Sequence, residues 1–366
     1  MQVNPRRVEQ HLECPAGLLA ACLLIPSLAA CGADPAGESP ATVDLTHVES
    51  SSRVPPSRVD DLALLSREEV CLVDSYRVRV LCGGRRWESP RTVGSAGEGP
   101  GQYRDPTALA RGPDGTVGVL DGELGRLTLF EPDGSPDRSL RVPPGFRPVG
   151  PPHDDAWPGT YVSPGDSVWS APVAWISLEH DSVLATRSFR HESEATGAAP
   201  AGGVPGGARA PDGTFAFWVG GDYALVRFGE DGEFLGTFSS PAHEPELPSD
   251  RDVEAFRDDM RELAGRAPPP ARIREFREEP KLPLVPGDPL RYDSAGRLWA
   301  ATTRDHEERS HFDLFRGGDY LGSVSVRDRL LAYDLFGSTL AVLVERAERD
   351  SAGLRPRHVE WYRIGE

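Results

Sequence analysis

The sequence predicts an all-β fold, a six-bladed β-propeller with a short helical insertion between blades 4 and 5. The prediction begins with a repeat: the segment ARGPDGT around Asp114 returns as ARAPDGT around Asp212, 98 residues later. In both copies a second Asp-Gly pair follows 19 residues on, at Asp133 and Asp231. Turns at fixed offsets are typical of repeated units that bury a core only by stacking on their neighbours.

Each repeat is predicted to hold four antiparallel strands, named A to D. Asp-Gly between alternating apolar runs indicates a hairpin, because the turn needs a positive φ that glycine adopts at little cost. The apolar runs between these turns have the length and the β-rich composition of strands. The first Asp-Gly pair then turns A into B, and the second turns C into D. Four-stranded units repeated about an axis form a propeller.

Chain length favours six blades over seven. Residues 61–366 number 306, and an insertion predicted at 241–287 takes 47 of them, which leaves 259. Six blades then have about 43 residues each, within the roughly 40–50 of propeller repeats, whereas seven would have about 37.

Strand-like runs place the other blades along the chain. Blade 1 is predicted to begin near Leu62, and a segment near 54–65 is expected to complete the last blade, since a propeller must close its ring. Blade 3 is predicted at about 155–190, and the later blades at 208–238, 292–319 and 330–364.

The glycine-rich stretch before the second blade carries a family resemblance. It runs Gly97-Glu98-Gly99-Pro100-Gly101-Gln102-Tyr103 and is followed by Pro106, Asp121, Arg126 and Phe130. This pattern resembles the NHL-repeat-like six-bladed β-propellers of bacteria. The resemblance implies the propeller fold. It also brings in an enzymatic alternative, because some six-bladed relatives are metal-dependent lactonases or lyases whose ligands come from the channel wall.

Residues 1–30 are predicted to be a lipoprotein signal peptide. Arg6 and Arg7 precede an apolar run of 11 residues, too short to span a bilayer, which takes about 20. The run ends in Leu-Ala-Ala-Cys, which resembles a bacterial lipobox and implies cleavage before Cys31 and lipidation of its thiol. An ordinary signal peptide followed by a stray cysteine is the alternative. Residues 31–60 are rich in Ser, Pro, Ala and Asp and are predicted to form a flexible tether.

Two cysteines of blade 1 are predicted to form a disulfide. A symmetric hairpin over 71–82 centres its turn between Tyr76 and Arg77, which places Cys71 opposite Cys82. An oxidising compartment favours their bridge. Two reduced, buried thiols are the alternative, and only a small entropic gain is expected from so short a loop.

The insertion at 241–287 is predicted to be helical. Ser249 begins a pattern that resembles a capping box, and Val253, Phe256, Met260 and Leu263 follow at helical spacing. Gly265 and Pro268 end this helix. The sequence leaves two roles open for this helix. It either covers apolar surface on the propeller rim or forms a lid over the central funnel.

Strand order decides which loops share a face. If the A–B and C–D turns lie on one side, the B–C loops and D–A connections lie together on the other, called the top face below. Loops on a rigid scaffold are where function usually resides. The candidate binding residues on this face are Tyr76, Arg77, Tyr103, Arg104, Asp105, Glu123, Asp222, Asp305 and His306.

The sequence predicts no catalytic residue, no cofactor and no metal site. It lacks G-x-S-x-G, H-E-x-x-H, a Walker motif and a dinucleotide-binding fingerprint. The inner-strand candidates 107–111 and 206–210 carry neither histidine nor a carboxylate. This favours a ligand- or protein-binding module over the alternative, a lactonase-like, metal-dependent hydrolase or lyase in the central channel.

Charge and targeting define the expected partners. The formal net charge of −17 argues against nucleic acid, which binds basic surfaces. The expected partner is a protein or small molecule of unknown identity, and the membrane is expected to be reached through the lipid anchor alone. The chain is expected to be a monomer at the bacterial cell envelope, on the periplasmic side or at the outer membrane.

Overall fold

Six four-stranded antiparallel sheets form the ring of a six-bladed β-propeller. The computed structural model of the chain describes residues 43–54, 59–162, 170–190, 206–306, 308–351 and 353–365. The predicted signal peptide at 1–30, the predicted lipidation site Cys31 and the first part of the predicted tether lie outside the described residues.

The strands are numbered along the chain. The first is β1 (Leu45–Ser50), and blade 1 follows with β2 (Val59–Leu64), β3 (Glu69–Asp74), β4 (Arg79–Gly84) and β5 (Arg91–Val93). The short parallel strands β6 (Ser95–Ala96) and β7 (Gln102–Tyr103) connect to blade 2, which has β8 (Pro106–Arg111), β9 (Val117–Asp121), β10 (Arg126–Phe130) and β11 (Pro136–Arg141). Blade 3 has β12 (Arg147–Pro148), β13 (Ala156–Thr160), β14 (Ser170–Ser177) and β15 (Val183–Arg190).

Blade 4 has β16 (Gly207–Arg209), β17 (Phe215–Trp218), β18 (Leu225–Phe228) and β19 (Phe234–Phe238). The helices α1 (Asp250–Ala264) and α2 (Pro270–Glu278) follow, between blades 4 and 5 as predicted. Blade 5 has β20 (Leu290–Tyr292), β21 (Leu298–Ala301), β22 (Arg309–Arg316) and β23 (Asp319–Arg327), and blade 6 has β24 (Arg329–Phe336), β25 (Thr339–Glu345) and β26 (Arg357–Ile364).

The N-terminal strand closes the ring. Strand β1 pairs with β26 as the fourth strand of blade 6, so that Leu45 lies opposite Ile364. The closing strand is therefore earlier than the predicted 54–65, and the tether prediction for 31–60 is wrong over 45–54. The composition concealed this strand because β1 lies at the rim, where most of its side chains are exposed and no apolar alternation is needed.

Apolar clusters hold neighbouring blades together. The described residues form six such clusters, one at each junction between blades. Because each sheet is covered on both faces, its strands are apolar on both sides. The junctions are marked by the pairs Val80 and Val119, Leu127 and Trp157, Phe189 and Phe217, Trp218 and Phe315, Trp299 and Val342, and Trp361 and Leu72.

The Asp-Gly turns of the repeat have the predicted places and chemistry. The first pair joins A to B and the second joins C to D, in blade 2 and again in blade 4. Gly213 has a φ of +89° and Gly134 a φ of +88°. The preceding aspartates close the turns, because Asp212 Oδ1 accepts from Thr214 N at 3.0 Å and Asp133 Oδ1 from Ser135 N at 2.8 Å.

Strands β3 and β4 of blade 1 are cross-linked. Their register places Cys71 opposite Cys82, and a disulfide joins the two, with 4.0 Å between the Cα atoms. Both cysteines lie in the apolar cluster between blades 1 and 2.

Helix α1 begins and ends at the predicted residues. Ser249 Oγ accepts from Asp252 N at 3.2 Å, and Asp252 Oδ2 accepts from Ser249 N at 3.0 Å, which completes a capping box. The helix ends at Gly265, which has a φ of +67°. Phe256 stacks on Phe276 of α2 with ring centroids 4.4 Å apart. Within the described residues, no helix has the length and apolarity needed to cross a bilayer.

Candidate functional site

Loops of two kinds meet on the top face, as the strand order predicts. In blade 2, the B–C loop residue Gly122 donates its N–H to the carbonyl of Asp105 in the preceding connection, at 2.9 Å. Between blades 5 and 6, Asp328 N donates to the carbonyl of Glu308 in the β21–β22 loop, at 3.0 Å. The top face is therefore built from both loop classes.

A cavity of about 650 Å³ opens on this face between blade 1, blade 6 and α1, and is called the top-face cavity below. The β3–β4 loop contributes Tyr76 and Arg77 to its lining. A second wall is the C-terminal part of α1, and the third is the loop between β25 and β26. Its volume lies within the roughly 300–1,000 Å³ of small-molecule sites.

Ion pairs attach α1 to blade 6. Glu254 and Asp258, one helical turn apart, both contact Arg349 Nη2, at 2.9 and 2.6 Å. The adjacent Asp259 contacts Arg329 at 3.1 Å. Each exposed pair alone contributes little. Together they fix which face of α1 is turned to the blade 6 arginines.

Two cations of the cavity are incompletely satisfied. Arg355 has a side chain only 13% exposed, and three carboxylates lie near it without a close contact, Glu254 at 3.4 Å, Asp258 at 3.8 Å and Glu345 at 3.9 Å. Its buried Nε donates no hydrogen bond to any described residue. Arg77 is exposed, and within the described part of the chain its side chain has no ion pair. The exposed Arg77 guanidinium therefore has N–H donors available to a ligand.

Apolar surface lies beside these cations. Tyr76 is 71% exposed and Leu354 is 45% exposed, and both line the top-face cavity. A ring and an aliphatic chain next to guanidinium groups match the usual make-up of a ligand pocket, in which apolar area is combined with a few polar groups.

Four of the predicted residues lie together at the start of blade 2, away from this cavity: Tyr103, Arg104, Asp105 and Glu123. Arg104 forms ion pairs with Glu98 and Glu123, and its backbone N–H donates to Asp121 Oδ2 at 2.8 Å. Asp105 N donates to the other oxygen of Asp121 at 3.3 Å. These contacts order the connection between blades 1 and 2.

The prediction that Tyr103 is a surface binding residue is wrong. Its side chain is 1% exposed, because it fills the apolar cluster between blades 1 and 2. The hydroxyl donates to the carbonyl of Val93 at 2.5 Å and accepts from Val80 N at 2.9 Å. Burial raises the pKa of Tyr103 to about 12. The residue satisfies the backbone of blade 1.

The remaining predicted residues lie on blades 4 and 5. Asp222 is exposed in the β17–β18 loop, and Asp305 lies 3.5 Å from His311. The prediction that His306 is a surface binding residue is wrong, since its side chain is buried and its Nε2 donates to the carbonyl of Leu330 at 2.9 Å. Burial lowers its pKa to about 4. Of the nine predicted residues, only Tyr76 and Arg77 line the top-face cavity.

Sequence reasoning missed the blade 6 side of the cavity. Arg349, Arg355 and Arg357 belong to an arginine-rich stretch between two strands that the sequence does predict. The signal was available, because a B–C loop of any blade belongs to the top face. The contribution of α1 to the same cavity has no comparable signal.

The central channel contains an ionic network rather than open space. Arg291 lies 3.9 Å from each of Asp61, Asp288 and Asp334. Arg147 contacts Asp288 at 3.8 Å, and Arg111 contacts Asp334 at 3.9 Å. The inner strands β2 and β24 thus supply carboxylates that 107–111 and 206–210 lack. Each of these carboxylates lies beside an arginine.

The channel is too narrow for a drug-sized ligand. Two cavities lined by described channel residues measure about 40 and about 70 Å³, which is room for a few water molecules. Among the described residues, no group of three or more His, Cys, Asp or Glu side chains is placed to hold a metal ion. The top-face cavity is therefore the candidate site.

Comparison with known proteins identifies the fold. No protein-family model and no curated protein matches the chain. A member of the DUF4221 family from Bacteroides vulgatus is similar at 9% identity and a TM-score of 0.54, covering 88% of this chain and 99% of that one. A structural genomics protein of unknown function from Bacteroides thetaiotaomicron is similar at 10% identity and a TM-score of 0.51, covering 88% and 76%.

Enzymes also occur among the similar structures. Virginiamycin B lyase from Staphylococcus aureus is similar at 10% identity and a TM-score of 0.40, covering 86% of this chain and 88% of that one. At such identities the likeness concerns the fold, and one propeller scaffold supports many functions.

Proposed function

We propose that the protein is a membrane-tethered, extracytoplasmic binding module whose ligand occupies the top-face cavity. The observation that carries the proposal is a cavity of about 650 Å³ with walls from blade 1, blade 6 and α1. Pockets of this size bury most of a small molecule. The walls are loops and a helix on a rigid ring, which is the usual arrangement of binding surfaces.

Filling the cavity tests its role. Leu354→Trp enlarges a lining side chain, and Leu184→Trp makes the same change on β15 of blade 3, where Leu184 is 56% exposed. The purified proteins are mixed with a small-molecule extract of bacterial envelopes and examined by native mass spectrometry. Wild type and Leu184→Trp are expected to retain a bound mass that Leu354→Trp loses. The same bound masses in all three proteins, or none in any, would contradict the proposal.

The tether is supported by the lipobox-like sequence that ends at Cys31. In a bacterial host fed radiolabelled palmitate, the wild-type chain is expected to incorporate label and to sediment with membranes. Cys31→Ser is expected to lose both properties while the propeller still folds. Unlabelled wild-type protein in the soluble fraction would disprove the lipid anchor.

A further inference from the structure

We infer that the ligand of the top-face cavity is an organic anion, a compound with a carboxylate, sulfonate or phosphate group on an apolar or aromatic body. This inference rests on the proposed function and adds the chemical class of the ligand. It follows from the charge, the unsatisfied donors and the apolar surface of the lining.

The lining is positive on an acidic protein. The charged side chains that line the cavity are Arg77, Arg261, Arg349, Arg355 and Arg357 against Asp258, Asp259 and Glu345, which gives 5 − 3 = +2. The formal charge of the whole chain is −17. A positive concavity on a negative surface concentrates field lines and attracts anions.

The carboxylates of the cavity already have partners. Asp258 contacts Arg349 and Arg261, at 2.6 and 2.9 Å, and Asp259 contacts Arg329, which lies outside the lining, at 3.1 Å. Glu345 contacts Arg357 at 3.1 Å. Among the described residues, the outside partners Arg329 and Glu254 add one charge of each sign, so the excess stays at +2.

Arginines lie on opposite walls, and the one without an ion pair among the described residues is Arg77. Arg77 belongs to the β3–β4 loop of blade 1, and Arg355 to the β25–β26 loop of blade 6. Arg355 has looser ion pairs, at 3.4 Å to Glu254, 3.8 Å to Asp258 and 3.9 Å to Glu345, and its Nε is buried without a hydrogen bond to any described residue. A guanidinium presents a planar set of donors that matches the oxygens of a carboxylate or phosphate.

The body of the ligand is expected to be apolar. The Tyr76 ring is next to Arg77 in the chain, and the Leu354 side chain is next to Arg355. Each wall therefore pairs a cation with an apolar group, and both apolar groups are largely exposed. A bare inorganic ion would leave this surface in water, whereas an anion on a hydrocarbon or ring would cover it.

Two dyes with the same aromatic body separate the contribution of charge from that of the apolar body. Anilinonaphthalene sulfonate carries a sulfonate, and phenylnaphthylamine is the same ring system without it. Binding is followed by fluorescence at constant ionic strength, since salt screens exposed charges. The proteins are wild type, Arg77→Met, Arg355→Met, the cavity-filling Leu354→Trp, and Arg141→Met as the matched control on β11 of blade 2, where Arg141 is exposed.

The sulfonate is expected to bind wild type and Arg141→Met equally. We expect its dissociation constant to rise about fivefold in Arg77→Met, the loss of one charge-assisted contact, with the neutral dye unchanged. Arg77 has no ion pair to lose within the described residues, so this variant is expected to keep its melting temperature. Arg355→Met is expected to show the same selective loss.

The outcomes distinguish the two proposals. If both dyes bind equally, Leu354→Trp removes both and Arg77→Met affects neither, the cavity binds ligands but the anion inference is overturned. If neither dye responds to Leu354→Trp, both the proposed function and the anion inference fail. Loss of the sulfonate alone in both arginine variants supports the inference.

Discussion

Asp61 lies on the innermost strand of blade 1, where the channel offers little water. Its carboxylate accepts hydrogen bonds from the backbone N–H groups of Leu62 and Leu109, both at 2.8 Å, and so joins blades 1 and 2. Burial raises the pKa of Asp61 to about 7, against the opposing effect of Arg291. The residue is therefore an axial contact whose charge depends on pH.

Replacing Asp61 by asparagine is expected to change the pH dependence of stability. Between pH 4 and 7 the folded chain holds a proton on Asp61 that the unfolded chain releases, so the unfolding free energy falls as pH rises. A pKa near 7 against about 4 corresponds to at most about 4 kcal/mol. The Asp61→Asn variant has no carboxyl group at this position, so its free energy of unfolding is expected not to show this decline.

Urea unfolding from pH 4 to pH 8 measures the effect. The wild-type unfolding free energy minus that of Asp61→Asn is expected to decrease across this range and then level off above pH 7. Asp222→Asn, which removes a carboxylate from an exposed loop, serves as the control. Parallel profiles for wild type and Asp61→Asn would show that Asp61 does not titrate differently in the folded state.

Sequence reasoning identified some residues of the candidate site and missed others. Tyr76 and Arg77 were predictable because hairpin symmetry fixes which residues lie at the B–C turn. Tyr103 and His306 were misplaced, because position in a loop does not reveal whether a side chain is buried under it. Asp61 and Asp334 in the channel were also missed, since inner strands were identified only where the repeat is clear.

Individual turns and helix ends were predicted correctly where residues close together in the sequence determine their structure. The Asp-Gly turns and the capping box of α1 depend on residues a few positions apart, and the structure has them where the sequence places them. Strand β1 was missed because its place depends on β26, about 310 residues away in the chain. An exposed rim strand is defined by its backbone partner and carries no pattern of its own.

The existence of α1 was predictable, but its orientation was not. Spacing of apolar residues indicates a helix. Its contacts with Arg329, Arg349 and Arg355, however, come from a strand and a loop more than 60 residues further along the chain. Charged side chains are compatible with many surface positions, so their pairing cannot be read from spacing. For this reason the top-face cavity emerges only in three dimensions.

The whole molecule depends on closing a ring of six sheets, and the disulfide of the described residues lies within blade 1 and joins no two blades. Each blade packs on the next through an apolar cluster, and the cluster between blades 6 and 1 closes the ring. If that junction opens, the apolar faces of both blades become exposed to water. Strand β1 acts at this junction because it joins blade 6 from the N-terminal side of blade 1. His47 Nε2 also contacts Glu360 at 2.8 Å, and Ser50 Oγ donates to the same carboxylate at 2.5 Å.

Removing β1 is expected to destabilise the entire ring. A chain that begins at residue 51 loses the β1–β26 ladder and leaves the buried Glu360 without two of its partners. Five residue pairs form this ladder, and at about 1 kcal/mol for each backbone hydrogen bond lost, the truncation is expected to cost several kcal/mol. A chain that begins at residue 43 keeps β1 and is expected to unfold at the wild-type urea concentration.

Urea unfolding of the two truncated chains, followed by tryptophan fluorescence, measures this difference. Trp361 on β26 lies in the cluster between blades 6 and 1 and reports on that junction. A synthetic peptide of residues 43–54 added to the shorter chain is expected to restore the midpoint, since it supplies the missing strand. Equal midpoints for both truncations would mean that the ring is held by its apolar junctions alone and that β1 is dispensable. A lower midpoint that the peptide raises in a saturable way would establish β1 as the closing strand.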